Sequence, residues 1–483
     1  VTFIDRRAAA LVLAAALSAA PAAARETSSE IDSLAGRSSL AGAYLAGRVA
    51  GAQRDVDAAA AFFRAALKAD PRNAQLLERA FLLSLAEGGE ADAMRLAERV
   101  VAADPGNRVA QLALATRSLK AGSYGAARAA LEKGARGPLA DLTVNLLAGW
   151  SWVGSGQTQR AFAALDKLQG ADFFGAFRDY HGALVADLAG RKDEAEKRFT
   201  AALSGDGAAL RVALAAASFR ARNGDPAAAL KTLDDFEKAA PRHPLAREMR
   251  EIIGRGETPK PVVGGVQDGV AEVLYGIGGA LARQGGEDLA TVYLQLALYV
   301  SPEHPMALVT LADLYDQLNQ YQDAIAVYER VPASSPLKRN AEIQSAIDLD
   351  RLEKTEEAKA RLAKLIAAAP EDQEALVALG NIERGREQFK EAAETYSKAI
   401  DLIAAPKAPE ASVTAPPPAA PAAAADATPY VVKPGDSLWT LSRDRLGDPK
   451  RWPELAAFNR SNGVRIPRSG ALAPGQSILL PAT

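Results

Sequence analysis

The 483-residue chain has no cysteine, only three histidines, 6% aromatic residues and a formal net charge of −2. Without thiols there is no disulfide, no thiolate nucleophile, no zinc-thiolate or iron–sulfur site and no lipidated cysteine. Three histidines leave little for a His-rich metal site. The balance of 57 basic against 59 acidic residues speaks against a nucleic-acid-binding surface. Beyond residue 24, no apolar run approaches the ~18 residues that a transmembrane helix needs. Alanine is abundant instead, together with 38 Gly and 27 Pro. Small side chains suit helices packed at close range better than large aromatic-lined pockets. The length predicts about three domains, and the composition leans away from catalysis.

The first residues read as an export signal. Arg6 and Arg7 precede the apolar run Ala8 to Leu17, and small residues continue through Ala20-Pro21-Ala22-Ala23-Ala24. About 10 apolar residues cannot cross a hydrocarbon core of roughly 30 Å. Residues 1–24 are therefore expected to be a signal peptide cleaved after Ala24, with Ala20 the second choice. Residues 25–39 are then an N-terminal cap segment, and the exported chain is expected in the periplasm.

Self-similarity organises most of the chain between residues 40 and 406. Alanines stand at Ala59, Ala93, Ala127, Ala161, Ala195 and Ala229, spaced by 34, and the series resumes at Ala290, Ala324, Ala358 and Ala392. Four positions later most copies carry a large residue: Phe63, Leu131, Leu165, Phe199, Leu233, Leu294, Tyr328, Leu362 and Tyr396. Twelve positions later come Pro71, Pro105, Pro241, Pro302, Pro336 and Pro370, and twelve earlier Gly47, Gly149, Gly278 and Gly380. Small residues let two antiparallel helices approach, the large one fills the space between them, and proline stops the second helix. Asn73, Asn107, Asp141 and Asp372 stand at helix N-cap positions. These columns resemble the tetratricopeptide repeat family, especially over Pro305–Lys338 and Gln373–Pro406. The resemblance implies a mainly α, helix-turn-helix superhelix of about ten repeats in two blocks. Block one covers 40–243 and block two 271–406. The connector at 244–270 carries Gly254, Gly256, Pro259, Pro261, Gly264 and Gly265, so its middle reads as a loop between two helices. Two readings of it stand: a hinge, or a rigid insertion packed on one face.

Residues 407–428 are a Pro/Ala-rich linker. In a polyproline II form, at about 3.1 Å per residue, ~25 residues reach on the order of 75 Å. From 429 to 483 the pattern changes again. The opening Tyr430-Val431-Val432-Lys433-Pro434-Gly435-Asp436-Ser437-Leu438-Trp439 and the closing Pro474-Gly475-Gln476-Ser477-Ile478-Leu479-Leu480-Pro481 resemble a LysM domain. The resemblance implies a small α+β unit of βααβ order that binds peptidoglycan or another N-acetylglucosamine-containing glycan. Carried over, the glycan-binding residues are Gly435, Asp436, Ser437 and Leu438 on one side, and Asn462, Val464, Arg465 and Ile466 on the other. Trp439 and Trp452 read as core. Eight Lys/Arg against four Asp/Glu in 429–483 make this segment +4, which favours an anionic polymer.

In the tetratricopeptide family the fifth residue of each repeat faces the concave groove. Here that column holds Tyr44, Leu112, Leu146, Tyr180, Leu214, Tyr275, Val309, Ile343 and Val377. Lacking lysine, it does not suit capture of a peptide carboxylate. It suits an apolar peptide or an amphipathic helix if open, and is core if neighbouring repeats cover it. Gly149-Trp150-Ser151-Trp152-Val153 misses the nucleophile-elbow pattern at its last position. Gly276-Ile277-Gly278-Gly279-Ala280-Leu281 misses the dinucleotide pattern. His243 and His304 share a repeat position at turns, and His181 stands alone. No catalytic residue, metal ligand or cofactor is expected. The expected function is a non-enzymatic adaptor joining a cell-wall glycan to an unidentified protein. A peptidoglycan hydrolase regulator, or an assembly hub for an envelope secretion, pilus or polymer-export machine, is the alternative.

Overall fold

The computed structural model describes residues 28–134, 136–169, 172–204, 209–404, 427–433, 437–438, 440–442, 455, 459 and 477–481. It divides into two compact units, Val1–Ala405 and Pro406–Thr483. The first is helical throughout its described residues. Six antiparallel hairpins come first: Leu40–Ala52 with Val56–Ala69, Ala74–Ala86 with Glu90–Ala103, Arg108–Lys120 with Tyr124–Lys133, Pro138–Gly154 with Thr158–Leu165, Asp172–Leu188 with Lys192–Ser204, and Leu210–Arg222 with Pro226–Glu237. Helix Pro244–Gly254 has no hairpin partner of its own and packs on the sixth hairpin. Four more hairpins complete the array: Val266–Arg283 with Glu287–Val300, Pro305–Gln317 with Tyr321–Glu329, Lys338–Arg351 with Thr355–Ala368, and Gln373–Gly385 with Phe389–Ala404. A further helix, Ser28–Arg37, packs on Val56–Ala69.

The column alanines explain why each pair closes. Nine of the ten are fully buried, and Ala392 is 3% exposed. A Cβ on Gly47 would lie 2.8 Å from the Phe63 ring, one on Gly149 2.9 Å from Leu165, one on Gly278 3.0 Å from Leu294, and one on Gly380 2.6 Å from Tyr396. Where glycine is absent, alanine takes its place opposite the large residue: Ala115 with Leu131, Ala183 with Phe199, Ala217 with Leu233, Ala312 with Tyr328 and Ala346 with Leu362. The second hairpin reverses the sizes, with buried Phe81 on the first helix and Ala97 on the second. Volume is conserved across the contact although the order is inverted.

The turn inside each hairpin needs one residue in the left-handed region. Gly88, Gly122, Gly156, Gly190, Gly224 and Gly285 fill it at φ between 69° and 90°. Arg54, Asn319, Glu353 and Glu387 fill it in the first and last three hairpins at φ between 59° and 61°. Side chains carry a steric cost there that glycine does not.

Asn73, Asn107 and Asp372 cap their helices, accepting from Leu76 N, Ala110 N and Ala375 N at 3.2, 3.1 and 2.9 Å. Asp141 does not. Pro138 at the first helical turn starts that helix four residues early, so Asp141 lies inside it and pairs with Arg136 at 2.8 Å. His243 and His304 both act as N-caps, each accepting through Nδ1 from a backbone amide at 3.3 and 3.1 Å. In the connector, Val263 is buried in the main core and Lys260 O accepts from Ser218 Oγ at 2.8 Å. That stretch is packed against block one.

The second unit pairs strand Ala427–Val431 antiparallel with Ser477–Pro481, Tyr430 opposite Ile478. Its buried cluster is Val432, Leu438, Leu441, Leu455, Ile478 and Leu480. Fully buried Asn459 is satisfied at both ends of its amide: Nδ2 donates to Leu479 O at 2.7 Å and Leu479 N donates to Oδ1 at 2.6 Å. Among the described residues no helix is long and apolar enough to cross a membrane.

Replacing Glu353 or Glu387 with glycine relieves the left-handed strain. Each substitution should stabilise the first unit by about 0.5–1 kcal/mol, read from urea midpoints against the parent chain.

Candidate functional site

The array curves so that its seventh hairpin lies against its own earlier repeats. Helix Val266–Arg283 packs on Pro138–Gly154, Arg108–Lys120 and Asp172–Leu188, and helix Glu287–Val300 on Ala74–Ala86 and Arg108–Lys120. Both helices are apolar around most of their circumference, as an element covered on several sides must be. One core runs through both blocks, from Ala43 to Ala341.

This arrangement decides the fate of the predicted groove column. Leu112, Leu146 and Tyr180 are buried under the seventh hairpin, and Leu214 is buried in the cluster shared with helix Pro244–Gly254. The expected open apolar face over these four residues is therefore corrected: the chain's own helices cover it. Tyr275 belongs to the covering helix itself, and Val309 is half-buried beside the same core. Ile343 is core between hairpins eight and ten. Tyr44 and Val377, at the two ends of the array, are exposed at 40% and 43%.

The contact turns on one helix face carrying Gly269, Glu272 and Gly276. A Cβ on Gly269 would lie 2.4 Å from the Trp150 indole, and one on Gly276 3.1 Å from Phe177. Between them the Glu272 carboxylate, 2% exposed, accepts from Arg211 Nε at 3.0 and 3.1 Å and from Tyr180 OH at 3.0 Å. His304 Nε2 lies 3.7 Å away. Burial alone would raise Glu272, but the Arg211 charge and hydrogen bonds from His304 and Arg211 hold it far below the usual carboxylate range. Burial alone would depress Arg211, yet Glu272 beside it raises it. Tyr180 is pushed up by burial and then by Glu272. Further out, Thr143 Oγ1 and Tyr293 OH share a 2.7 Å hydrogen bond, and Gln295 Nε2 donates to Ala86 O at 2.9 Å.

His181 sits at the floor of this contact. Its Nδ1 accepts from Trp150 Nε1 at 3.2 Å, Phe177 stacks on its ring, and its buried Nε2 has no partner. Burial pushes the imidazole down to about 4. Sequence reasoning missed Arg211, Glu272, Trp150 and Phe177 as a group. The available signal was a lone glutamate inside the apolar stretch Val270–Leu274, which a buried helix keeps only when it is paired.

In the second unit, Ser437 is an N-cap: its Oγ accepts from Thr440 N at 3.2 Å and its own N donates to Thr440 Oγ1 at 2.9 Å. Leu438 is 2% exposed and belongs to the core, which corrects its expected place on a sugar-facing surface. Gly435, Asp436, Asn462, Val464, Arg465 and Ile466 lie outside the described residues. Among the described residues no group of His, Asp or Glu could hold a metal ion.

Tetratricopeptide repeat models match residues 42–73, 307–339 and 343–409. The chain contains tetratricopeptide repeats, and its hairpins have their form. Among solved structures it is similar to MamA from Desulfovibrio magneticus RS-1, with 24% identity over 42% of this chain and 99% of that one and a TM-score of 0.26. It is also similar to YrrB, described as a TPR protein with an unusual peptide-binding site, with 18% identity over 43% and 93% and a TM-score of 0.25. No curated protein matches the chain.

Two outcomes test this geometry. Glu272→Ala leaves Arg211 without its counter-charge and should cost about 3–5 kcal/mol in urea unfolding, whereas Arg211→Met with Glu272→Leu should recover most of that loss. His181 takes up a proton near 6.5 when unfolded but only near 4 when folded. The unfolded state therefore binds more protons across that window, and stability falls as pH drops through it. His181→Gln should unfold with a shallower loss between pH 7 and pH 5 than the parent chain, measured as the difference in urea midpoints.

Proposed function

We propose that the chain is a non-enzymatic scaffold of the cell envelope. It is exported to the periplasm, held on peptidoglycan or a related N-acetylglucosamine-containing glycan by its C-terminal unit, and engaged with a protein partner through its repeats. The observation that carries the reading is the combination on one chain of a tetratricopeptide repeat array with a separate small unit whose opening and closing sequences resemble LysM. The repeats spend their large side chains on hairpin packing, and a scaffold needs surface rather than chemistry. Strands at both ends of the second unit, with helical backbone at 438, 440–442, 455 and 459 between them, support the βααβ reading. The Ala/Pro-rich stretch between the units supports a tether. Fixing one end to a polymer raises the local concentration of whatever the repeats hold.

Co-sedimentation with purified sacculi tests the wall-binding half. The full chain should pellet with the sacculi and a chain ending at residue 428 should remain in the supernatant. Equal pelleting of the two would contradict the assignment.

A further inference from the structure

The seventh hairpin covers Leu112, Leu146 and Tyr180 of the first block, and it does so with a defined pattern. Gly269, Glu272 and Gly276 stand at i, i+3 and i+7, on one side of helix Val266–Arg283. The two glycines let the helix axis approach Trp150 and Phe177, while the glutamate reaches Arg211 and Tyr180. Val270, Val273 and Ile277 add apolar contact on either side, all at most 1% exposed. The groove thus reads a small–x–x–Glu–x–x–x–small helix through shape at two points and charge at one.

Two features mark this seat. His181 Nε2, one of several buried polar atoms without a partner, lies at its floor, so the resident helix leaves that group unmet. The attachment also has a clear joint. The connector is pinned to block one as far as Val263, by its own burial and by the Ser218–Lys260 bond, and Gly264-Gly265 comes immediately before the helix begins. Within the hairpin Lys120 Nζ also reaches Tyr299 O, and beyond it Gln320 Nε2 donates to Arg54 O and Tyr315 OH to Ala86 O.

We infer that the concave face of the first block is a receptor for an amphipathic helix of the small–x–x–Glu–x–x–x–small pattern, and that helix Val266–Arg283 is an internal resident which a partner helix of that chemistry displaces. The inference rests on reading the repeats as a protein-binding scaffold and names the chemistry of what they bind. Arg211, with Tyr180 beside it in the first block, is the anchor for the incoming carboxylate. The resident's occupancy sets the apparent affinity, because only the open fraction binds.

Hydrogen exchange on the unaltered full chain is the first test. Residues 266–300 should exchange through an opening of lower free energy than residues 138–154, whereas exchange of both only with global unfolding would overturn the proposal. The second test measures binding of a fluorescein-labelled peptide of residues 266–283 to the full chain. Glu272→Ala in the protein should tighten binding of the unchanged peptide by about ten-fold or more by lowering resident occupancy. Alanine at the glutamate position of the peptide should abolish that gain, as should adding Arg211→Met to the protein. Gly269→Val, which wedges the resident off Trp150, should give the same gain without touching the ion pair and serves if Glu272→Ala does not fold. Peptide binding that ignores its glutamate, or that is equal in parent and opened chains, would refute the inference. Neither experiment involves the glycan, so loss of sacculus binding and loss of peptide binding are separate results.

Discussion

Each hairpin of the array rests on one pairing of a small with a large residue sixteen positions apart, the small one on the first helix in every hairpin but the second. Gly47 and Phe63, Gly149 and Leu165, Gly278 and Leu294, and Gly380 and Tyr396 are its tightest forms. The contact fixes how near the two helices lie, and the column alanine beside it fixes how near the next hairpin can stack. Repeating a fixed packing step at a fixed spacing builds a superhelix whose curvature derives from the step. That curvature brings the seventh hairpin back against the second to fifth.

The consequence is a solenoid that is not quasi-linear. Repeat arrays ordinarily share core only between neighbours, but here Val270, Ile277 and Leu294 join a core with Leu112, Leu146 and Trp150 from hairpins three and four. Within that core sits a charge, Glu272, kept ionised by Arg211 and surrounded by tyrosine and histidine. A buried ion pair adds little net stability but penalises every arrangement in which either partner is left alone. It therefore specifies register: the seventh hairpin has one seat, because only there does Glu272 meet Arg211 while Gly269 meets Trp150.

Local rules are readable in the residues themselves. The alanine, glycine and proline columns mark the hairpins, and Asn73, Asn107 and Asp372 cap where their side chains and positions say they should. Asp141 misleads because Pro138 offers an earlier helix start. The left-handed turn column, from Arg54 to Glu387, is equally periodic but invisible as a residue pattern, since arginine, asparagine and glutamate share it with glycine. What the sequence could not reveal was closure. The fifth-residue column looks like a groove because its residues are apolar and periodic, and nothing local distinguishes a surface left open from one covered by helices that come later in the chain. In the second unit, Leu438 is legible as apolar but not as inward-facing, because that depends on Leu455, Ile478 and Leu480 meeting it.

Closure of the repeat array on itself is the central claim, and the absence of native cysteine makes it directly measurable. Spin labels on single cysteines introduced at exposed Asp104 in block one and exposed Glu303 in block two report one distance across the seat. A single narrow distribution in the otherwise unaltered chain, broadening when Glu272 is replaced, is the predicted result. A distribution already broad in the parent, or unchanged by loss of Glu272, would contradict it.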